Sequence, residues 1–270
     1  MNPYINKKII KCIDGNKYFT NDYITSEEPL EIRLSDGKNT EPVSVIMRTP
    51  VDDFPLAVGF LFDEGMLKIK DFQGVNYDYG AKINEKNNIV IVSVNKIDYD
   101  LTNQRNFYVN SSCGVCGKTN IENVFIKNSK FVKIKDRVEH NLISLLPKKM
   151  RENQEIFRYT GGIHAAAIFD YNGNLISISE DIGRHNAVDK SIGKLLLNGI
   201  SRMEDTIMQV SGRASFEIVQ KAAMFGISII SSVSAPSSLA VELADTFNIT
   251  LISFARDNKF NIYTHDERIL

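Results

Sequence analysis

Two of the chain's three cysteines, Cys113 and Cys116, stand three apart in the run Asn110-Ser111-Ser112-Cys113-Gly114-Val115-Cys116-Gly117-Lys118. The small, polar and glycine residues around them suit neither a strand nor a helix interior, so the pair is expected on a loop free to move. A cysteine pair at this spacing admits three chemistries: half of a zinc site, a redox disulfide, or a thiolate that carries something, such as a sulfane sulfur. The third cysteine, Cys12, lies far away in a stretch that reads as strand.

A second group of candidates lies where predicted strands end. From Gly162 onward the pattern alternates. Ile163 to Phe169 and Leu175 to Ser179 read as strands joined at Asn172-Gly173, Arg184 to Leu197 as helix, Thr206 to Val210 as strand and Ser215 to Phe225 as helix. Ile227 to Val233, Ser237 to Phe247 and Thr250 to Phe254 continue as strand, helix and strand, with a short edge at Asn261 to Tyr263. Such alternation predicts an α/β layered sheet with right-handed crossovers, and ligands of such sheets bind beyond the carboxyl ends of the strands. The segments expected there are Glu180-Asp181-Ile182-Gly183-Arg184-His185-Asn186, Ser211-Gly212-Arg213-Ala214-Ser215, Ser234-Ala235-Pro236-Ser237-Ser238 and Ala255-Arg256-Asp257-Asn258-Lys259. Small and hydroxyl residues let backbone N–H groups approach an anion at a helix N-terminus, and Arg184, Arg213 and Arg256 add charge. That is phosphate or pyrophosphate chemistry. Ser237 and Ser238 taken alone read as caps.

The first hundred or so residues are β-rich: Lys8 to Ile13, Lys17 to Ile24, Pro29 to Leu34 and Val43 to Arg48, with turn signals at Asp14-Gly15 and Asp36-Gly37, then Val75 to Tyr79 and Ile89 to Val94. One helix interrupts them, starting from Asp52 as N-cap and apolar nearly all round from Phe54 to Phe62, hence expected to be buried. Between the cysteine loop and Gly162, Val132 to Arg151 reads as a helix with a solvated basic face, broken by Pro147. The resulting division is a β-rich N-terminal domain over 1–105, the CxxC loop over 106–127 and an α/β cofactor-binding domain over 128–270.

At 270 residues, 43% hydrophobic and 24% charged, the composition is that of a globular protein with room for a large core. A net charge of -1 and a pI near 6.4 give no global attraction to nucleic acid or anionic membrane, so anion recognition has to be local. Met1 to Lys11 lacks the apolar core of a secretory signal, which sets the expected location in the cytoplasm. Ala222 to Val241 is charge-free, but its six serines, glycine and proline divide it into strand, loop and helix rather than a membrane span. An odd cysteine count with one CxxC in a reducing compartment makes functional thiols the better reading.

Zinc lacks support, because no second CxxC or close HxxxH is present and no His or Cys ahead of the CxxC is followed two residues later by Glu, as a zinc deaminase requires. Thioredoxin-type exchange places its CxxC at the mouth of a long helix near the chain's start; here it falls mid-chain between glycines, and this reading stays open as the weaker one. A sulfur carrier fits best: Lys118 and the N–H groups around Gly114 and Gly117 favour a thiolate, and the neighbouring thiol assists or protects. Among the histidines, His140 and His265 read as surface residues and His164 as a core residue of an apolar strand. His185 divides evenly between a ligand contact and a cap.

Several longer motifs resemble the formate dehydrogenase accessory sulfurtransferase family, FdhD. They are Ser111 to Lys118, Thr160-Gly161-Gly162-Ile163-His164-Ala165-Ala166, Glu180 to Lys190, Ser211-Gly212-Arg213, Arg48-Thr49-Pro50 with Gly59-Phe60-Leu61 and Glu64-Gly65, and Ala235-Pro236 running into Leu239-Ala240. The likeness runs from about Glu28 to Tyr263, with one departure, Ser253 where the family pattern has glycine. The resemblance implies a cytidine-deaminase-like α/β fold without zinc, and no protein-ligated metal. It implies a sulfurtransferase that takes persulfide sulfur from a cysteine desulfurase. The sulfur goes to the molybdenum or tungsten of bis-molybdopterin guanine dinucleotide before that cofactor enters formate dehydrogenase. Carried across, Cys113 bears the persulfide, Cys116 is its partner, and Phe254, Ala255, Arg256, Asp257, Asn258 and Lys259 match the cofactor-binding stretch. Arg184, Arg213 and Arg256 would hold phosphates, with His185, Asn186, Ser211 and Gly212 lining nucleotide pockets. A homodimer is implied as well. The rival readings are a chaperone that binds the cofactor without transferring sulfur, and a metal-dependent nucleotide hydrolase.

Overall fold

In the computed structural model, the described residues are 2–80, 87–97 and 136–270. They form three sheets and six α-helices. The first sheet is a two-stranded ribbon, β1 (Tyr4–Ile13) and β2 (Asn16–Thr25), closed by Asp14-Gly15 with both residues at positive φ, as a tight hairpin turn demands. The second comprises β3 (Glu28–Ser35), β4 (Thr40–Arg48), β5 (Phe72–Tyr77) and β6 (Ile89–Val94), in the order β4-β3-β6-β5. Helix α1 (Asp53–Asp63) lies between β4 and β5 in sequence.

The third sheet has six strands, β7 (His164–Asp170), β8 (Leu175–Asp181), β9 (Thr206–Val210), β10 (Ile229–Ser232), β11 (Thr250–Arg256) and β12 (Lys259–Thr264), in the order β12-β11-β10-β9-β7-β8. Strands β9, β10 and β11 are parallel, while β7 is antiparallel to both β9 and β8, so β8 runs the same way as β9. Four strands therefore end, and β7 begins, on one edge of the sheet. This is the edge that the α/β pattern assigns to ligands.

Strand periodicity sorts the core. Ala166 and Ile168 of β7, with Met208, Val210, Ile230 and Leu251, face a core shared with α4 (Arg184–Leu197), α5 (Phe216–Phe225), α6 (Ser238–Thr246), α1 and the four-stranded sheet. Ala165, Ala167 and Phe169, with Ile207, Ile229 and Ile252, face the opposite way, under α2 (His140–Glu152). The first of these clusters joins residues from both sides of position 105. Where α1 crosses α4, the backbones touch through glycine: a Cβ on Gly59 would stand 1.9 Å from the Asp189 carbonyl oxygen, and one on Gly193 would stand 1.9 Å from that of Pro55.

Two expectations need correction, and one element went unread. Asp52 precedes α1 but does not cap it; its carboxylate reaches Lys194 on α4, 2.7 Å away, from a left-handed backbone. Pro147 sits inside α2 without ending it, because Ile143, Leu146 and Met150 are buried against the sheet and this packing outweighs the missing hydrogen bond. Glu155–Thr160 forms a short helix, α3, where none was read from sequence. The charge-free stretch from Ala222 is divided among α5, β10 and α6, and no helix among the described residues is long and apolar enough to cross a membrane.

Candidate functional site at the sheet edge

The β8–α4 junction is held by a buried ionic scaffold. Asp181, at the end of β8, accepts hydrogen bonds from Gly183 N (2.7 Å), Asn186 Nδ2 (2.8 Å) and Thr49 N (3.1 Å), and it pairs with Lys190 Nζ at 2.6 Å. Lys190 also donates to the Thr49 carbonyl oxygen (2.9 Å), Ile182 N to Thr49 Oγ1 (3.1 Å), and Asn186 Nδ2 to the Met47 carbonyl oxygen (2.9 Å). Beside Thr49, Arg48 grips Asp53 through two contacts of 2.9 Å, fully buried. The acidic and basic residues of Glu180 to Lys190 are therefore divided by direction. Asp181, Asn186 and Lys190 point inward and fix the junction, whereas Arg184 and His185 remain half-buried at the edge.

Arg184 leads a cluster on that edge. Its Nε is buried without a hydrogen-bond partner in the protein, the state of a donor waiting for an acceptor. A Cβ on Gly212 would lie 3.5 Å from Arg184 Cδ and 3.4 Å from His164 Nδ1, so glycine there lets both side chains lie against the β9 loop. Ser211 Oγ accepts from Ala165 N (2.9 Å) and stands 3.3 Å from His164 Nδ1. His185 Nε2 meets Ser215 Oγ at 3.0 Å and Glu217 at 3.6 Å. Burial first, and then nearby Arg184, push His185 down to about 4, so it is neutral at pH 7. Burial pushes Glu217 up, but the bonds from Ser215 and its own backbone, with His185 and Arg184 close by, leave it below the usual carboxylate range. The consistent relay is an Nε2–H imidazole donating to Ser215, whose hydroxyl donates to Glu217.

A cleft of about 340 Å³ opens beside this cluster, lined by His164, Ile182 and Ser211 on the sheet side and by Arg151, Gln154, Phe157 and Gly161–Ile163 on the other. Sequence reasoning assigned none of the second group. Gly161-Gly162 ahead of a strand was their one visible sign, since α3 itself was not legible. His164 is a wall of this cleft and not the core residue expected from its strand; burial, then Arg184, lower its pKa. Arg151 lies over the Phe157 ring, 3.4 Å from its centroid. Glu180 accepts from Ile156 N and Phe157 N, both at 2.8 Å, which ties α3 to β8. Gln154 is buried beside Glu180, and its amide works with the Ile156 and Phe157 N–H groups against the burial that raises the Glu180 pKa.

The remaining candidates are spread along the edge. Arg213 is exposed. Ser237 caps α6, accepting from Ala240 N at 3.2 Å, and Ser238 is the first helical residue. The fourth segment, Ala255 to Lys259, is not a helix start. Asp257 and Asn258, at φ 50° and 58°, form a two-residue hairpin between Arg256 and Lys259, so Arg256 is exposed on a turn and no helix dipole adds to its charge. Ala255 is buried in the core under α2, and Phe254 adopts φ 56°, a left-handed backbone that is costly for an aromatic residue and marks an irregularity between Ser253 and Arg256. Ser253, the departure from glycine, is fully buried and shares its hydroxyl with Ser232 at 2.8 Å. Cys113 and Cys116 lie outside the described residues.

A family model described as FdhD/NarQ family matches residues 25–270. The chain is 60% identical over 270 residues to the sulfur carrier protein FdhD of Picrophilus torridus, covering 100% of both chains. It is 44% identical to that of Thermoplasma volcanium, covering 100% and 98%, and 43% identical to that of Streptomyces avermitilis, covering 97% and 94%. A solved structure from Desulfotalea psychrophila, provisionally assigned as a formate dehydrogenase accessory protein, superposes with a TM-score of 0.79 over 100% of each chain at 24% identity, a likeness of fold.

Proposed function

The chain belongs to the FdhD/NarQ family, and from that premise we propose that it is a cytoplasmic sulfur carrier serving formate dehydrogenase. The observation that supports a nucleotide-bearing cargo is the sheet edge itself. Four strand ends meet there, with the unpartnered Arg184 Nε beside a cleft of about 340 Å³ that Gln154 also lines. A guanine dinucleotide brings pyrophosphate for arginine and a hydrogen-bonding base for a neutral amide. The cargo is bis-molybdopterin guanine dinucleotide with its molybdenum or tungsten, held by Arg184, Arg213 and Arg256 and by the 254–259 segment.

In this reading the Cys113 thiolate attacks the terminal sulfur of a cysteine desulfurase persulfide. A new sulfur–sulfur bond forms on Cys113 and the donor leaves as thiolate. Cys116 thiolate then attacks the inner sulfur of the Cys113 persulfide. The terminal sulfur leaves as hydrosulfide to the metal, and the two cysteines are left as a disulfide, which a thiol reductant reopens. The same reading takes the protein as a homodimer.

Intact mass after incubation with desulfurase and labelled cysteine is expected to rise by one sulfur in the wild type and in Cys116→Ala, and to stay unchanged in Cys113→Ala. Full labelling of Cys113→Ala overturns the assignment. If Cys113→Ala supports formate dehydrogenase in cells at wild-type level, the protein is a binding chaperone. Arg184→Ala is expected to weaken guanosine diphosphate binding by about 10- to 100-fold, the range for one charge-assisted hydrogen bond in a half-buried site, measured by calorimetry. An unchanged affinity removes Arg184 from the site.

A further inference from the structure

Helices α1, α4 and α5 meet at a closed group of charges that the sulfur transfer does not use. Asp63 ends α1, Asp189 lies midway along α4 and Lys221 midway along α5. Their side chains are 0%, 2% and 6% exposed. Lys221 Nζ is 2.6 Å from Asp189 Oδ1 and 4.0 Å from Asp63 Oδ2, and Glu64, the residue after α1, stands 3.9 Å from the same ammonium.

Carboxyls outnumber the ammonium here. Glu64 is 23% exposed, so water shares its charge, but Asp63 and Asp189 are closed off from solvent. A second buried carboxylate with no cation of its own is among the costliest things a core can hold. Hydrogen bonds decide which of the two takes the cation. Asp189 accepts from Lys221. Neither oxygen of Asp63 accepts from an N–H or O–H group of the described residues, and within hydrogen-bond reach of Asp63 lies the Asp189 carboxyl, itself an acceptor. Two carboxyls stay in such contact only with a proton between them.

We infer that Asp63 keeps its proton at neutral pH and donates it to Asp189, so that a carboxyl–carboxylate–ammonium chain without net charge closes α1 against α4 and α5, and that rising pH loosens this closure by drawing the proton off. Burial raises the Asp63 pKa well above the usual carboxylate range against the attraction of Lys221, and Asp189 and Glu64 add to the rise. Burial raises Asp189 as well, but Lys221 and the bond from Asp63 oppose it and favour its ionised form. Burial lowers the Lys221 pKa, yet Asp189, Asp63 and Glu64 raise it by more, so the ammonium stays charged. The group also supports the sheet edge. His185 precedes Asp189 by four residues on α4 and Glu217 precedes Lys221 by four on α5, so His185–Glu217 at 3.6 Å and Asp189–Lys221 at 2.6 Å are successive rungs between the same two helices. The Asp63 proton therefore sets the charge one turn beneath the rung that holds His185.

An acid whose pKa is higher in the folded than in the unfolded chain contributes its full stability below the unfolded value, about 3.9 for Asp, and loses it as pH rises until the folded value is passed. Denaturant titration across pH tests this against Asp63→Asn, whose amide donates to Asp189 at every pH. The ratio of the two unfolding equilibrium constants, wild type over variant, is expected to rise about tenfold per pH unit from pH 5 to 7, the signature of one proton released on unfolding. A ratio that stays level overturns the proposal. So does an Asp63→Asn chain that fails to fold, since a neutral donor has to serve where the acid did. Infrared spectra at pH 7 supply a measurement without unfolding. Wild type is expected to show a protonated-carboxyl C=O stretch that Asp63→Asn lacks, and identical spectra in that region contradict the assignment.

Discussion

Gly193→Ala is expected to destabilise the fold by more than about 3 kcal/mol, the upper end of overpacking penalties. The new methyl would stand 1.9 Å from the Pro55 carbonyl oxygen, and the obstacle is backbone on a buried helix, which no rotamer change can move. The two helices would have to separate. Their separation would open the core that joins Leu56, Ala57, Phe60 and Leu61 of α1 to Val188, Ile192 and Leu196 of α4. Gly59→Ala should behave alike from the other side, against Asp189. Gly74→Ala on β5 is the control, since nothing stands within 4 Å of its added carbon and its backbone is not left-handed. Denaturant titration reads the difference. A loss at Gly193 no larger than at Gly74 would mean that the helices are not in backbone contact.

Asp181→Ala is the second large effect, at about 3–5 kcal/mol, because it leaves the Lys190 ammonium buried without its counter-charge. It also strips an acceptor from Gly183 N, Asn186 Nδ2 and Thr49 N. Lys190→Met in the same chain is expected to restore part of the stability by removing the stranded charge. The double variant then loses less than the two single losses added together. Strict additivity would show that the two groups are not coupled. Guanosine diphosphate binding is expected to fall in the double variant even where stability recovers, because the carboxylate that holds the 182–186 backbone in place is gone.

Local pattern made much of the fold readable. The strands at Ile89–Val94 and Thr206–Val210 and the helix at Arg184–Leu197 have the boundaries read from sequence, since each is a contiguous run whose periodicity reports its own burial. Where partners lie far along the chain, the pattern failed. Asp52 has the chemistry of a cap, but Lys194 comes within 2.7 Å of it only after folding. Pro147 has the chemistry of a helix breaker, but the far face of the six-stranded sheet holds its helix together.

The candidate site divides along the same line. Residue types alone determined that anion-ready segments follow the strands of the α/β half and that one cysteine pair stands apart from them, because side-chain chemistry and spacing are properties of the chain itself. Which member of each segment faces a ligand was decided by the tertiary structure. Within ten residues it turned Asp181, Asn186 and Lys190 inward to Thr49 and Met47, 130 or more positions earlier, and left Arg184 at the edge with an unpaired N–H. A charged side chain is indifferent to position until a counter-charge or water is fixed beside it, and that neighbour is set by the packing of sheets and helices, not by adjacent residues.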